Sequence, residues 1–237
     1  MLEAVQINFY LNNGYLLVPV FSKEECEEIQ NIYEFHADKE YSTLMRLHET
    51  VPEIIKFMAH KKVVEVLDLL QSAVAGHRVK VDAIASCMFF KKPGTIFANQ
   101  AWNPHQDSSY HQTKDGICLT TNIFLEDTDQ ENGCMYIYPG SQRESLINFE
   151  EVVSYKQGSD KTPGNKVIIP DKYTKVDLPA SQGIMLVLNN NTIHGSYSNA
   201  SKDRSRPMFS VTYCNQGESF AVGQNAQRKR VNVHNEK

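Results

Sequence analysis

Val79-Lys80-Val81-Asp82-Ala83-Ile84-Ala85-Ser86-Cys87-Met88-Phe89-Phe90 is the stretch at which the hydrophobic period of this chain changes. β-Branched and aromatic residues crowd it, and Lys92-Pro93-Gly94 closes it, which is the composition of a strand bounded by a turn. Upstream, apolar residues recur at helical spacing instead. Ser22-Lys23-Glu24-Glu25 reads as a capping box, with Cys26, Ile29, Ile32 and Tyr33 behind it on one face, and predicts a helix to about His36. Pro52 at a first helical position precedes Ile54, Ile55 and Met58, and Val63, Leu67, Leu70 and Val74 give a further helix that Gly76 stops. Ahead of these, Asn13-Gly14 is a turn and residues 15–20 a short strand. A helical layer is therefore expected mainly over residues 22–76.

Downstream the pattern is mostly β. Residues 117–125 read as a long strand, 127–133 as a polar turn containing Asn132-Gly133, and 134–138 as the return strand of a hairpin. Residues 144–170 are polar, contain Pro163-Gly164, and are long enough to act as a functional flap. Strands over 173–178, 184–188, 192–197 and 207–213 complete the series. Short strands at regular spacing predict a mainly β protein with flanking helices, a cupin-like jelly roll over about residues 79–215 in one domain spanning 1–237.

Such a barrel can enclose a small-ligand cavity, and the sequence offers ligands for it. In Trp102-Asn103-Pro104-His105-Gln106-Asp107 an extended backbone points His105 and Asp107 the same way. A later apolar run ends in Asn190-Asn191-Thr192-Ile193-His194-Gly195-Ser196. Two histidines and one carboxylate form the facial ligand set of non-haem Fe(II) oxygenases, so His105, Asp107 and His194 are the candidate metal ligands, with His48 and His111 as rivals. Arg206 opens the last long apolar run, where the sheet directs its guanidinium and a carboxylate can be gripped in two-pronged fashion. Arg204 falls in the charged loop before it.

Composition narrows the function classes. A net charge of −4 with 22% charged residues leaves no footprint for a polyanion, so nucleic acid is not an expected partner. Five scattered cysteines without C-x-x-C spacing are expected to be reduced core residues. Without a signal-like N-terminus or eighteen consecutive apolar residues, no membrane association is expected and the expected compartment is the cytoplasm. No G-x-S-x-G or H-E-x-x-H motif supports a hydrolase.

Several motifs fall in one order along nearly the whole chain. They are Phe9 with Asn13-Gly14-Tyr15-Leu16-Leu17-Val18-Pro19, Ser22-Lys23-Glu24-Glu25, Lys92-Pro93-Gly94, Pro104-His105-Gln106-Asp107-Ser108-Ser109-Tyr110, Glu131-Asn132-Gly133-Cys134 with Pro139-Gly140-Ser141, and His194-Gly195-Ser196 with Asn199, Ser201 and Arg206. In this order they resemble the phytanoyl-CoA dioxygenase family of iron(II)- and 2-oxoglutarate-dependent oxygenases. The resemblance implies a double-stranded β-helix in which His105, Asp107 and His194 bind Fe(II). It implies that Arg206 and Ser196 hold the distal carboxylate of 2-oxoglutarate, with Met88 and Asn122 as further walls. The chain departs from the family in having Asn122 where an aromatic is common, and in a His194-to-Arg206 step one residue longer than usual.

The implied reaction consumes O2 and 2-oxoglutarate, releases succinate and CO2, and hydroxylates a small molecule. Because Asp107 is present, halogenation is not expected. Asn103, Gln106 and Tyr110, with Arg46 and His48, are the expected polar groups at the cavity mouth and suit a polar substrate. The alternative is a cupin-like metal-containing isomerase or small-ligand binding protein without redox activity, which gives Arg206 and Ser196 no task. The sequence assigns no oligomeric state.

Overall fold

The computed structural model describes residues 2–36, 43–111, 113, 117–157, 160–220 and 228–234. Helices α1 (Ala4–Asn13), α2 (Lys23–His36), α3 (Leu47–Thr50), α4 (Ile55–Met58) and α5 (Lys61–Ala75) precede or punctuate the strands. The Ser22 capping box forms as expected: Glu25 N donates to Ser22 Oγ at 3.2 Å and Ser22 N to Glu25 Oε2 at 2.8 Å. Helix α5 ends at Gly76 in the left-handed conformation. Helix α1 was not anticipated, since Tyr10 is its one fully buried side chain and its apolar period is weak.

The strands are β1 (Tyr15–Pro19), β2 (Thr43–Met45), β3 (Val81–Lys91), β4 (Trp102–His105), β5 (Leu119–Phe124), β6 (Met135–Ile137), β7 (Phe149–Gln157), β8 (Asp160–Val167), β9 (Val176–Leu178), β10 (Ile184–Asn189), β11 (His194–Ser196), β12 (Arg206–Asn215) and β13 (Val231–Asn232). All pairings are antiparallel. The larger sheet runs β1-β10-β5-β12-β3-β13 with β2 added to β3, the smaller runs β4-β11-β6-β9, and β7 and β8 form a separate ribbon. Two facing sheets with helices outside the larger one form the expected jelly roll.

The main core lies between the helices and the outer face of the larger sheet, where Ile29, Leu67 and Leu70 meet Ile123, Val187 and Phe209. A second cluster, including Phe124, Met135, Ile137 and Leu186, joins the inner faces of the two sheets. The remaining inner face of β3, β5 and β12 is left to line a cavity of about 510 Å³.

Two expectations are corrected. Residues 117–138 are not a hairpin: β5 pairs with β10 and β12 in the larger sheet, whereas β6 pairs with β11 and β9 in the smaller. The polar turn carries the chain across the sandwich and is braced for it. Asn132 accepts from Asp129 N at 2.8 Å and donates to Asp127 O at 2.9 Å, and Arg204 forks onto Asp129 at 2.7 and 3.0 Å and reaches Glu131 at 2.6 Å. The second correction concerns Met88. In the β3–β12 register Thr212 pairs with Ala85 and Tyr213 with Ala83, so Ile84 is an extra residue, a β-bulge. One inserted residue exchanges the two faces. Val81 and Ala83 face the helices, but beyond the bulge so do Met88 and Phe90, while Ala85, Cys87 and Phe89 turn to the cavity. Met88 is a fully buried core residue, not a cavity wall.

Candidate metal centre

His105 ends β4 and His194 begins β11, and the two are direct partners in the antiparallel register of the smaller sheet. Their ring centroids lie 4.4 Å apart. Gln106 keeps an extended backbone before a 3₁₀ turn over Asp107–Ser109, so the alternation read from sequence brings Asp107 back beside His105. Asp107 Oδ1 is 3.4 Å from His105 Nε2 and 3.6 Å from His194 Nε2. One ligand atom from each residue lies within 4.8 Å of the others.

The other ring nitrogens are committed. His105 Nδ1 lies 2.7 Å from the carbonyl of Asn103 and His194 Nδ1 2.9 Å from that of Thr192. A carbonyl only accepts, so each Nδ1 carries a proton, which leaves Nε2, the ring atom beside Asp107, as the one available to a metal. Burial pushes the Asp107 carboxyl up, but His194, His105 and a hydrogen bond from Thr120 outweigh it and hold the group well below the usual carboxylate range. Two imidazoles and an ionised carboxylate, open on the cavity side, fit a divalent cation with free positions for further ligands.

Gly195, between His194 and Ser196, is required by close approach. A Cβ there would stand 2.4 Å from Tyr136 Oη and 2.6 Å from Trp102 O, two atoms that are themselves hydrogen-bonded at 3.1 Å. Gly195→Ala is expected to push β4 from β11, separate the histidines and lower both metal affinity and melting temperature; unchanged metal binding would contradict this.

Arg206 lies on the cavity-side face of β12, in alternation with Met208, Ser210 and Thr212, and is 1% exposed. Its Nη1 approaches Met208 Sδ at 3.4 Å, while Nε and Nη2 have no partner among the described residues. Burial pushes its pKa down to about 10. Asn122, on the neighbouring strand and lining the cavity, also has an Nδ2 without a partner among the described residues, and Ser196 lines the same cavity. A buried guanidinium without a counter-charge is costly, and these donors fit a carboxylate-bearing ligand.

The other sequence candidates divide. Tyr110 and Arg46 line the cavity, as do Thr120, Arg228 and His111, the last with an Nδ1 that has no partner among the described residues. Gln106 does not: it is fully buried on the opposite side, where Nε2 donates to Asn191 O at 2.8 Å and Oε1 accepts from Ile147 N at 2.8 Å. Asn103 contributes its carbonyl to His105, and His48 is buried with Nδ1 2.7 Å from Ser86 Oγ. Residues 144–170, expected as a polar flap, contain the β7–β8 ribbon, whose Asn165 is tied to Tyr110 Oη at 2.8 Å and Ser109 Oγ at 2.6 Å.

The phytanoyl-CoA dioxygenase (PhyH) family model matches residues 10–208. The chain belongs to the phytanoyl-CoA dioxygenase family. Among curated relatives, a phytanoyl-CoA dioxygenase of Arabidopsis thaliana is 22% identical, covering 87% of this chain and 86% of the plant protein. Phytanoyl-CoA dioxygenase 1 of rice (Oryza sativa subsp. japonica) is 28% identical over 65% of this chain and 50% of its own length. Of solved structures, the non-heme α-ketoglutarate-dependent carbocyclase SnoK from nogalamycin biosynthesis superposes with a TM-score of 0.73 at 18% identity, covering 98% of this chain and 97% of its own. EctD of S. alaskensis, solved with 2-oxoglutarate and 5-hydroxyectoine, gives 0.65 at 17% identity, covering 95% and 78%. As a member of this family the chain is an oxygenase of the iron(II)- and 2-oxoglutarate-dependent class. No helix among the described residues is long and apolar enough to cross a membrane.

Burial pushes His194 and His111 down to about 4, against about 6.5 in an unfolded chain. Between these values the unfolded chain binds protons that the folded chain does not, so stability falls as pH drops through that window. Asp107 acts lower: its depressed pKa stabilises the fold above about 3.9, and that contribution is lost as pH falls further. Unfolding free energy measured with a chelator present is expected to decline below about pH 6.5, less steeply in His194→Gln. A flat profile from pH 7 to 4 would contradict the burial of neutral imidazoles.

Proposed function

We propose that the chain is an iron(II)- and 2-oxoglutarate-dependent dioxygenase that hydroxylates a polar small molecule, with release of succinate and CO2. The observation that carries this reading is a cavity that holds the buried His105, Asp107 and His194 cluster, together with the buried Arg206 on the strand face that gives the cavity Met208, Ser210 and Thr212, its guanidinium without a carboxylate partner among the described residues. When bound, the iron and 2-oxoglutarate supply the oxidising chemistry, drawn from O2 and from decarboxylation of the keto acid. The chain's own residues do the rest. His105 and His194 present Nε2 with their rings fixed by the Asn103 and Thr192 carbonyls, and Asp107 supplies the negative charge that favours a dication over water. Arg206, with donors from Ser196 and Asn122, holds the distal carboxylate of the cosubstrate and thereby orients its keto-acid end toward the metal.

The outer cavity favours a substrate with an apolar body and an acidic group. Phe89, Trp102 and Tyr110 give it an aromatic wall, while Arg46 and Arg228 add two cations without an ion-pair partner among the described residues. Substrate-stimulated succinate formation, screened over a metabolite set rich in carboxylates and phosphates, tests this. At least one acidic metabolite is expected to raise succinate release several-fold and to gain one oxygen atom. A chain that takes up Fe(II) but neither binds nor consumes 2-oxoglutarate would favour a cupin-like protein without redox activity.

A further inference from the structure

Lys91 ends β3 on the cavity-side face, continuing the alternation of Ala85, Cys87 and Phe89, and stands opposite Arg206 in the β3–β12 register. It is 0% exposed. Its Nζ donates to Ser196 Oγ at 2.9 Å and to the carbonyl of Tyr197. Neither Lys91 nor Arg206 has a carboxylate partner among the described residues. Two buried cationic side chains on adjacent strands repel each other and lose their hydration, an arrangement that an anion between them relieves. Arg206 alone already matches the single charge of a carboxylate, so a further lysine needs its own explanation.

The explanation lies in the hydroxyl that Lys91 holds. A serine Oγ has one proton to donate and lone pairs to accept, whereas an alkylammonium group only donates. Held by Lys91, Ser196 must accept from it and keeps its own proton free for the cavity. We propose that Lys91 is a positioning residue of the cosubstrate site, which fixes the Ser196 hydroxyl as a donor to the distal carboxylate and adds a second positive charge beside Arg206. The consequence is selectivity for a keto acid that carries a second carboxylate. Burial and the neighbouring Arg206 push the lysine's pKa well below its usual range, and an anion bound beside it counters that shift and favours the ammonium form.

This inference rests on the proposed placement of 2-oxoglutarate at Arg206, and the test separates the two. Dissociation constants are measured anaerobically with Mn(II) for 2-oxoglutarate and for 2-oxobutanoate, a keto acid without the distal carboxylate, together with melting temperatures. Lys91→Met is expected to weaken 2-oxoglutarate about ten- to a hundredfold, as for loss of a charge-assisted hydrogen bond, and to leave 2-oxobutanoate unchanged. Ser196→Ala should lower the same affinity ratio, and the double variant should lose less than the product of the two single losses, because the lysine acts through the serine. If Lys91→Met does not fold, the Ser196→Ala ratio decides, since a hydroxyl that does not donate to the carboxylate leaves nothing for Lys91 to position. An unchanged ratio in Lys91→Met, or in Ser196→Ala, overturns the assignment even where the melting temperature falls. A large loss in Arg206→Ala alongside an unchanged Lys91→Met overturns only the role of Lys91. No loss in Arg206→Ala overturns both.

Discussion

Asp107→Ala is expected to bind Fe(II) at least about a hundredfold more weakly than the parent chain and to consume no 2-oxoglutarate. Changes to residues that merely orient a metal ligand typically cost ten- to a hundredfold, and here the carboxylate itself is removed. What remains is a pair of imidazoles whose Nε2 atoms face a cavity with no negative charge from the ligand set. The fold should survive, because Asp107 sits in a 3₁₀ turn at the end of β4 and not in a ladder. Metal titration by calorimetry, with circular dichroism as the control for folding, gives the answer. Full metal occupancy in the variant would remove Asp107 from the ligand set and leave His111, which lines the same cavity, as the residue to test next.

Arg206→Ala is expected to weaken 2-oxoglutarate by roughly two to three and a half powers of ten. A carboxylate left buried without its partner loses about 3 to 5 kcal/mol, and each 1.4 kcal/mol is about tenfold in affinity. Arg206→Lys should recover only part of this, since it keeps the charge but not the two-pronged donor geometry. Arg204→Ala should leave the affinity nearly unchanged: its guanidinium is spent on Asp129 and Glu131, on the far side of the turn that joins the sheets. The dissociation constants are read with Mn(II) and without oxygen. Damage from Arg204→Ala but not from Arg206→Ala would mean that the last long strand presents a different residue to the cosubstrate.

What was legible in the sequence was local. The capping box at Ser22, the C-cap at Gly76 and the strand periods follow from residues a few positions apart, and so does the co-facing of His105 and Asp107. His194 and Arg206 were found because each sits at the edge of an apolar run, where a polar side chain on a strand must have a task. The same alternation places Gln106 on the other face: if His105 and Asp107 face the cavity, Gln106 faces away, and its carboxamide spans the Asn191 carbonyl and the Ile147 amide instead.

The failures were matters of pairing and register, which depend on distant strands. The bulge at Ile84 is set by β12, more than a hundred residues later, and it alone decides that Phe89 and Lys91 turn inward while Met88 does not. Lys91 opens Lys91-Lys92-Pro93, a run with the composition of a polar strand end, and nothing nearby in sequence signals its burial. The Asn132-Gly133 turn has hairpin chemistry, yet the partners of β5 and β6 lie elsewhere.

The central claim is that His105, Asp107 and His194 hold an iron onto which 2-oxoglutarate chelates. It is tested most directly by anaerobic visible absorption on the Fe(II)-loaded protein, in which a chelating 2-oxo acid produces a metal-to-ligand charge-transfer band. The account predicts a band that saturates at one equivalent of 2-oxoglutarate, does not form with succinate, and is absent in Asp107→Ala. Iron bound at full occupancy with no band on adding 2-oxoglutarate would contradict it.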